Sequence, residues 1–190
     1  MLRKRLVVAG LVAAALGSPF AAAAPTATDG GAPALFFENV RKLCGKRFEG
    51  ATEFPKDEPG HPLAGKKLII SVEQCSENEI RIPLQAGEDK SRTWILTLRD
   101  GRLLLKHDHR HADGTPDKVT MYGGWAAEGD ANRQRFPADS ETAALIPEAA
   151  TNVWTLELDA ANEQLIYALE RHGQPRYKAL FNLKQAAPTF

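Results

Sequence analysis

Apolar and polar residues alternate through most of this chain beyond Lys67, and that alternation restricts its fold more than any other feature. NEIRIPLQ, SRTWILTLR, NVWTLELD, EQLIYALER and PRYKALFNL are short runs rich in β-branched and aromatic residues, the composition of strands. Within each run the faces separate. Trp154, Leu156 and Leu158 share one side of NVWTLELD, against Thr155 and Glu157. Leu165, Tyr167 and Leu169 share a side of the next run, and in the last one Tyr177, Ala179, Phe181 and Leu183 oppose Arg176, Lys178 and Asn182. A period of two predicts one face on a core and one in water. The separators, such as Arg99-Asp100-Gly101-Arg102 and Asp159-Ala160-Ala161-Asn162, are turn chemistry, too short to hold a crossover helix. Neighbouring strands are therefore expected to be antiparallel. About 8–10 of them form an up-and-down meander, and closing it into a barrel hides the sheet edges. The expected fold is all-β, an antiparallel meander barrel, with an open two-sheet sandwich as the competing arrangement.

The first third of the chain reads differently. Arg3, Lys4 and Arg5 precede an uncharged apolar run at residues 6–17 and then small residues. This is the three-part pattern of a secretory signal peptide, expected to span residues 1–24 and to send the protein to the periplasm or beyond. The apolar run is shorter than the roughly 18 residues a membrane span needs, and no later stretch is long enough. The first cysteine is Cys44, so no lipid-anchor site follows the signal. Residues 25–33, rich in Gly and Pro, are expected to form a flexible leader, and residues 34–190 the single domain. Leu35, Phe36, Val40 and Leu43 recur near helical spacing ahead of Gly45, which predicts a short N-terminal helix. Residues 53–65, with three prolines, predict a loop.

Charge and cysteine content narrow the function. The whole chain carries 24 basic and 24 acidic residues; without Arg3, Lys4 and Arg5 the balance is 21 against 24, a formal charge of −3. No basic stripe is present, which argues against a nucleic-acid partner. An even cysteine count in an exported chain predicts a Cys44–Cys75 disulfide, which would stabilise by about 3 kcal/mol through loop closure.

A short helix running into LCGKRFEG and followed by a strand meander resembles the lipocalin-like (calycin) barrels. In that superfamily a Gly-x-Trp motif opens the first strand; here Gly45 is followed by Lys46 and Arg47, with Phe48 as the nearest aromatic residue. The resemblance implies a barrel around a small-molecule cavity. It also implies a late-strand arginine packed on that aromatic residue, for which Arg171 is the nearest candidate by position.

The residues that carry chemistry cluster in a few places. In GRLLLKHDHRH, His107, His109 and His111 continue the face of Leu103 and Leu105 if the run is one strand. They would then line the inner wall toward the mouth, with Asp108 and Arg110 on the solvent side. Alternating imidazoles can converge on Zn or Cu, so His107, His109 and His111 are candidate metal ligands; the bland alternative is the polar end of a strand. Arg92 shares a face with Trp94, and Arg171 shares one with Tyr167. A buried arginine needs a partner, which an anionic ligand group can supply. Tyr122 and Trp125 flank Gly123 and Gly124, a pair that marks a bend or a close backbone approach. Candidate ligand-binding residues are therefore Arg92, Trp94, His107, His109, Tyr122, Trp125, Tyr167 and Arg171. No nucleophile elbow, zincin helix or phosphate-binding loop is present, which weighs against an enzyme. The expected function is binding of a small, partly apolar ligand with no resident cofactor. The alternatives are a periplasmic Zn or Cu binder and a structural envelope module with a filled barrel.

Overall fold

The structure, a computed structural model, describes residues 31–184; the expected signal peptide and residues 25–30 of the leader lie outside the described residues. A helix, α1 (Ala32–Arg41), leads into eleven strands: β1 (Arg47–Phe54), β2 (Leu68–Ser71), β3 (Glu79–Ala86), β4 (Asp89–Arg99), β5 (Arg102–His109), β6 (Tyr122–Trp125), β7 (Glu128–Gly129), β8 (Arg133–Pro137), β9 (Asn152–Asp159), β10 (Gln164–Arg171) and β11 (Gln174–Asn182). All pairings are antiparallel, in one sheet of order β6-β5-β4-β3-β2-β1-β11-β10-β9-β8-β7. This is the expected all-β meander with its N-terminal helix. The sheet curls into a half-barrel, and the inward faces that the alternation assigned are buried: Trp94 and Leu96; Leu103 and Leu105; Trp154 and Leu156; Leu165 and Tyr167; Tyr177, Ala179 and Phe181; Ile80, Ile82 and Leu84 of β3 join them.

The chain itself links the two ends of the curled sheet. Ala126 N–H donates to the Leu103 carbonyl beside β5 (2.8 Å), while the next amide, that of Ala127, donates to the Arg135 carbonyl on β8 (3.0 Å). The Gly123-Gly124 pair makes this possible. A Cβ on Gly123 would sit 2.0 Å from the Leu105 carbonyl oxygen, and one on Gly124 would sit 1.8 Å from that of Pro137. Only a residue without a side chain lets these backbones approach. The Asp139 amide then bonds the Gly123 carbonyl at 2.9 Å.

The two open ends of the curl are covered differently. At one end α1 buries Phe36, Phe37 and Val40 against the core, near Phe48 and Leu68, and Asn39 Nδ2 donates to the Ala131 carbonyl in the β7–β8 turn (2.9 Å). The Cys44–Cys75 disulfide lies at this end and ties the chain after α1 to the β2–β3 connection, with Cα atoms 6.3 Å apart. The opposite end is bordered by the loop at residues 55–67, the loop at residues 110–121 and a short helix, α2 (Ser140–Leu145), followed by a 3-10 turn at Pro147–Ala149.

Several expectations are corrected here. Helix α1 begins at Ala32 with Pro33 in its first turn, so residues 32 and 33 belong to the helix and not to the leader. The segment around α2 carried no expected helix; Asp139 caps it by accepting from the Thr142 amide at 2.8 Å. Asp108 is buried rather than solvent-side. The loop after β5 folds over it, so that Thr120 Oγ1 and Arg110 Nε donate to its two oxygens at 3.0 and 2.9 Å. Lys106 is likewise buried under α2, with its ammonium 2.6 Å from Asp139; a buried charge persists because it is paired. Arg171 does not pack on Phe48. The ladder places Leu165 beside Phe181 and Phe181 beside Gly50, so Phe48 lies at the α1 end and Arg171 at the opposite end of β10.

Candidate functional site

A cavity of about 340 Å³ opens at the end away from α1. Its floor is a layer of rings supplied by strands from both sides of the curl. Trp94 of β4 stacks on Tyr167 of β10 with centroids 4.4 Å apart. His107 of β5 lies 4.8 Å from the Tyr122 ring and 5.1 Å from Trp154. Arg92, His109, Asn152 and Arg171 follow them toward the mouth, and the buried His107 and Tyr167 carry polar atoms that need partners.

Those partners are found within the layer. Burial holds His107 far below the usual histidine range, at about 3, so its imidazole is neutral. Its Nδ1 lies 3.1 Å from the Tyr122 carbonyl, which only accepts, so Nδ1 carries the proton. Its Nε2 therefore accepts from the Tyr167 hydroxyl at 2.8 Å. Burial raises Tyr167 well above the usual tyrosine value and Tyr122 to about 12, so both remain protonated. Tyr122 extends the network to the mouth, with its hydroxyl 2.9 Å from His109 Nε2. Burial, followed by the charge of Arg92, lowers His109 as well.

The walls carry the cations. Arg92, one inward position above Trp94, donates to Asp89 and more weakly to Ser91 Oγ (3.4 Å). Burial raises the Asp89 carboxyl, but the Ser91 and Arg92 hydrogen bonds outweigh that and leave it well below the ordinary carboxylate range. On the other side of the mouth, Arg171 Nε donates to Asn152 Oδ1 at 2.8 Å, and Asn152 is buried. A residue from the loop at 55–67 completes the rim. His61 stacks on Tyr177 with centroids 5.2 Å apart and ring planes 7° from parallel. The amides of Leu63 and Ala64 both donate to His61 Nδ1 (3.2 and 3.0 Å), which leaves Nε2 as the protonated nitrogen of the neutral ring. The Tyr177 hydroxyl is held 2.9 Å from Thr52 Oγ1.

Of the sequence-derived candidates, the cavity gathers Arg92, Trp94, His107, His109, Tyr122, Tyr167 and Arg171. Trp125 is elsewhere: it stands an odd number of residues from Tyr122 and lies under the Arg102 guanidinium, 4.3 Å from the ring centroid. His111 lies beyond the end of β5 in an exposed turn, its amide bonded to the Thr115 carbonyl at 2.9 Å. The three histidines are thus not brought to one point, and among the described residues no group of three or more His, Cys, Asp and Glu side chains is arranged to hold a metal ion. Sequence reasoning missed His61, Asn152 and Tyr177 as site residues. Asn152 and Tyr177 were open to the rule that singled out His107, since each is an inward polar residue at the mouth end of its strand. His61 sits in a loop without periodicity and gave no signal. Comparison with protein-family models, with curated proteins and with solved structures returned no match.

Proposed function

We propose that this chain is an exported, lipocalin-like binder of a small, partly apolar molecule held at the open end of the curled sheet. The observation that carries this reading is the 340 Å³ cavity over a floor of stacked rings, with charged groups at its walls and rim. Sites for small organic molecules have this composition, mostly apolar with a few placed polar groups, and begin at about 300 Å³. Among the described residues no helix is long and apolar enough to cross a membrane. The Cys44–Cys75 disulfide fits an oxidising compartment, and the charged, apolar and small-residue succession at the start of the chain supports export.

The test uses N-phenyl-1-naphthylamine, a neutral probe that fluoresces when it leaves water. Titration into the purified protein is expected to give saturable fluorescence at one site. Leu169→Trp, which places bulk at a cavity-lining position, is expected to abolish it while the far-ultraviolet circular dichroism stays unchanged. A probe that stays dark with the parent protein, or that binds Leu169→Trp equally well, would sink the reading.

A further inference from the structure

We infer that the cavity selects a flat organic carboxylate, with its anionic group against the guanidinium of Arg171 and its planar body on the aromatic floor. This rests on the reading of the cavity as a ligand site and adds the charge and shape of what it takes.

The two mouth arginines are not equivalent. Arg92 is already paired with Asp89. Arg171 lines the same cavity, and among the described residues its one side-chain partner is the neutral amide of Asn152. That hydrogen bond uses Nε and orients the guanidinium plane, which leaves both terminal nitrogens to donate. An arginine held this way presents the fork that a carboxylate accepts bidentately. Buried Asn152 has no charge to neutralise it, so a full positive charge remains at the cavity wall. Among the described residues the carboxylate that lines the cavity, Asp117, belongs to the loop at the β5 side of the mouth and accepts from the Val119 amide at 3.1 Å.

The body of the ligand is set by what lies below. Trp94 and Tyr167 are stacked 19° from parallel, and the His107 and Tyr122 rings 11° from parallel. The polar atoms of His107 bond within the layer, so the floor offers ring faces rather than free donors. A planar, unsaturated group matches that surface. One uncompensated cation at the cavity among the described residues favours a monoanion over a dianion. The 340 Å³ volume stands near the lower end for such sites, which favours one or two fused rings over a long acyl chain.

The experiment compares naphthoate with naphthalenemethanol, two probes with the same ring system, one anionic and one neutral, read by quenching of tryptophan fluorescence. The parent protein is expected to bind naphthoate at least about tenfold tighter, a ratio that shrinks as salt is added. Arg171→Gln is expected to erase the difference between the two probes, with an unchanged far-ultraviolet circular dichroism spectrum showing that the variant has folded. Arg171→Lys, which keeps the charge without the fork, is expected to recover part of it. Equal affinity of both probes for the parent protein, or a preference that persists in Arg171→Gln, would overturn the carboxylate inference and leave the cavity reading standing. Failure of both probes to bind would remove the two together.

Discussion

At the end of the sheet covered by α1, the inward residues are Phe36, Phe37, Phe48, Leu68 and Phe181, hydrocarbon throughout and at most 1 % exposed. At the other end the inward residues are His107, Tyr122, Tyr167, Tyr177, Asn152 and the two arginines, and a cavity remains among them. The strand residues at both ends follow the same period-two alternation, and α1 adds Phe36 and Phe37 at the closed one. They differ because a hydrocarbon side chain can pack in any orientation that fills space, whereas a buried hydroxyl, imidazole or amide is bound to the direction of its partner. The His107 ring is held by the Tyr122 carbonyl on one side and the Tyr167 hydroxyl on the other, and it cannot turn to fill the space above it. The lesson is that the closed end stores stability and the open end stores geometry.

Truncation is the strongest test of that contrast. Phe37→Ala removes a fully buried ring from the closed end and is expected to cost about 3–5 kcal/mol in urea unfolding. Leu169→Ala, half-buried beside the cavity, is expected to cost less than half as much. Equal losses would erase the distinction between the two ends. Next in size is the disulfide. Replacing Cys44 and Cys75 together by Ser is expected to remove about 2–4 kcal/mol, measured by urea unfolding without reductant. Because the bridge lies at the closed end, probe affinity in the cavity is expected to stay within about twofold; a large loss of affinity would mean that the ends are coupled.

The third test concerns pH and separates the ends by titration. His107 has a folded value near 3, below its usual 6.5, so the unfolded chain takes up a proton first as pH falls. Stability is therefore complete above pH 6.5 and declines below it toward pH 3, by on the order of 1 kcal/mol per unit. His61 and His109, also lowered by burial, act in the same direction. Unfolding measured at pH 7 and pH 5 is expected to show the drop, and His107→Gln is expected to reduce it. An unchanged slope in that variant would place the titration elsewhere. The smallest effect is expected from Tyr177→Phe. Thr52 keeps its bond to the Leu63 carbonyl (3.2 Å), so removal of the Tyr177 hydroxyl strands no buried group. The expected loss is about 1 kcal/mol or less, with the stacking on His61 retained. A loss matching that of Phe37→Ala would show that the rim carries stability of its own.

Much of the cavity was legible because strand faces are a local property. Arg92 with Trp94, His107 with His109, and Tyr167 with Arg171 each share a side by counting alone. Trp125 fails on the same count, since its odd spacing from Tyr122 turns it outward, and the aromatic pair around the glycines obscured that. His111 was lost where the chain leaves β5 and bridges Arg110 to Pro116. Asp108 and Lys106 were misread or passed over because the outer face of β5 is covered by segments that follow it at a distance, the loop at residues 110–121 and α2. Periodicity describes the strand and not what later folds over it.

By itself the sequence determined the antiparallel meander, the helix ahead of it, the inward faces and a cysteine pair able to close. Each of these follows from spacing within a few residues or from parity. Only the tertiary structure decided that Trp94 meets Tyr167 across the curl, that His107 is neutral with both nitrogens bonded, and that Arg171 faces the cavity with a neutral partner. Those facts depend on strand register and on the Gly123-Gly124 approach that links the sheet ends. They join residues far apart in the chain, and no local pattern encodes the distance between them.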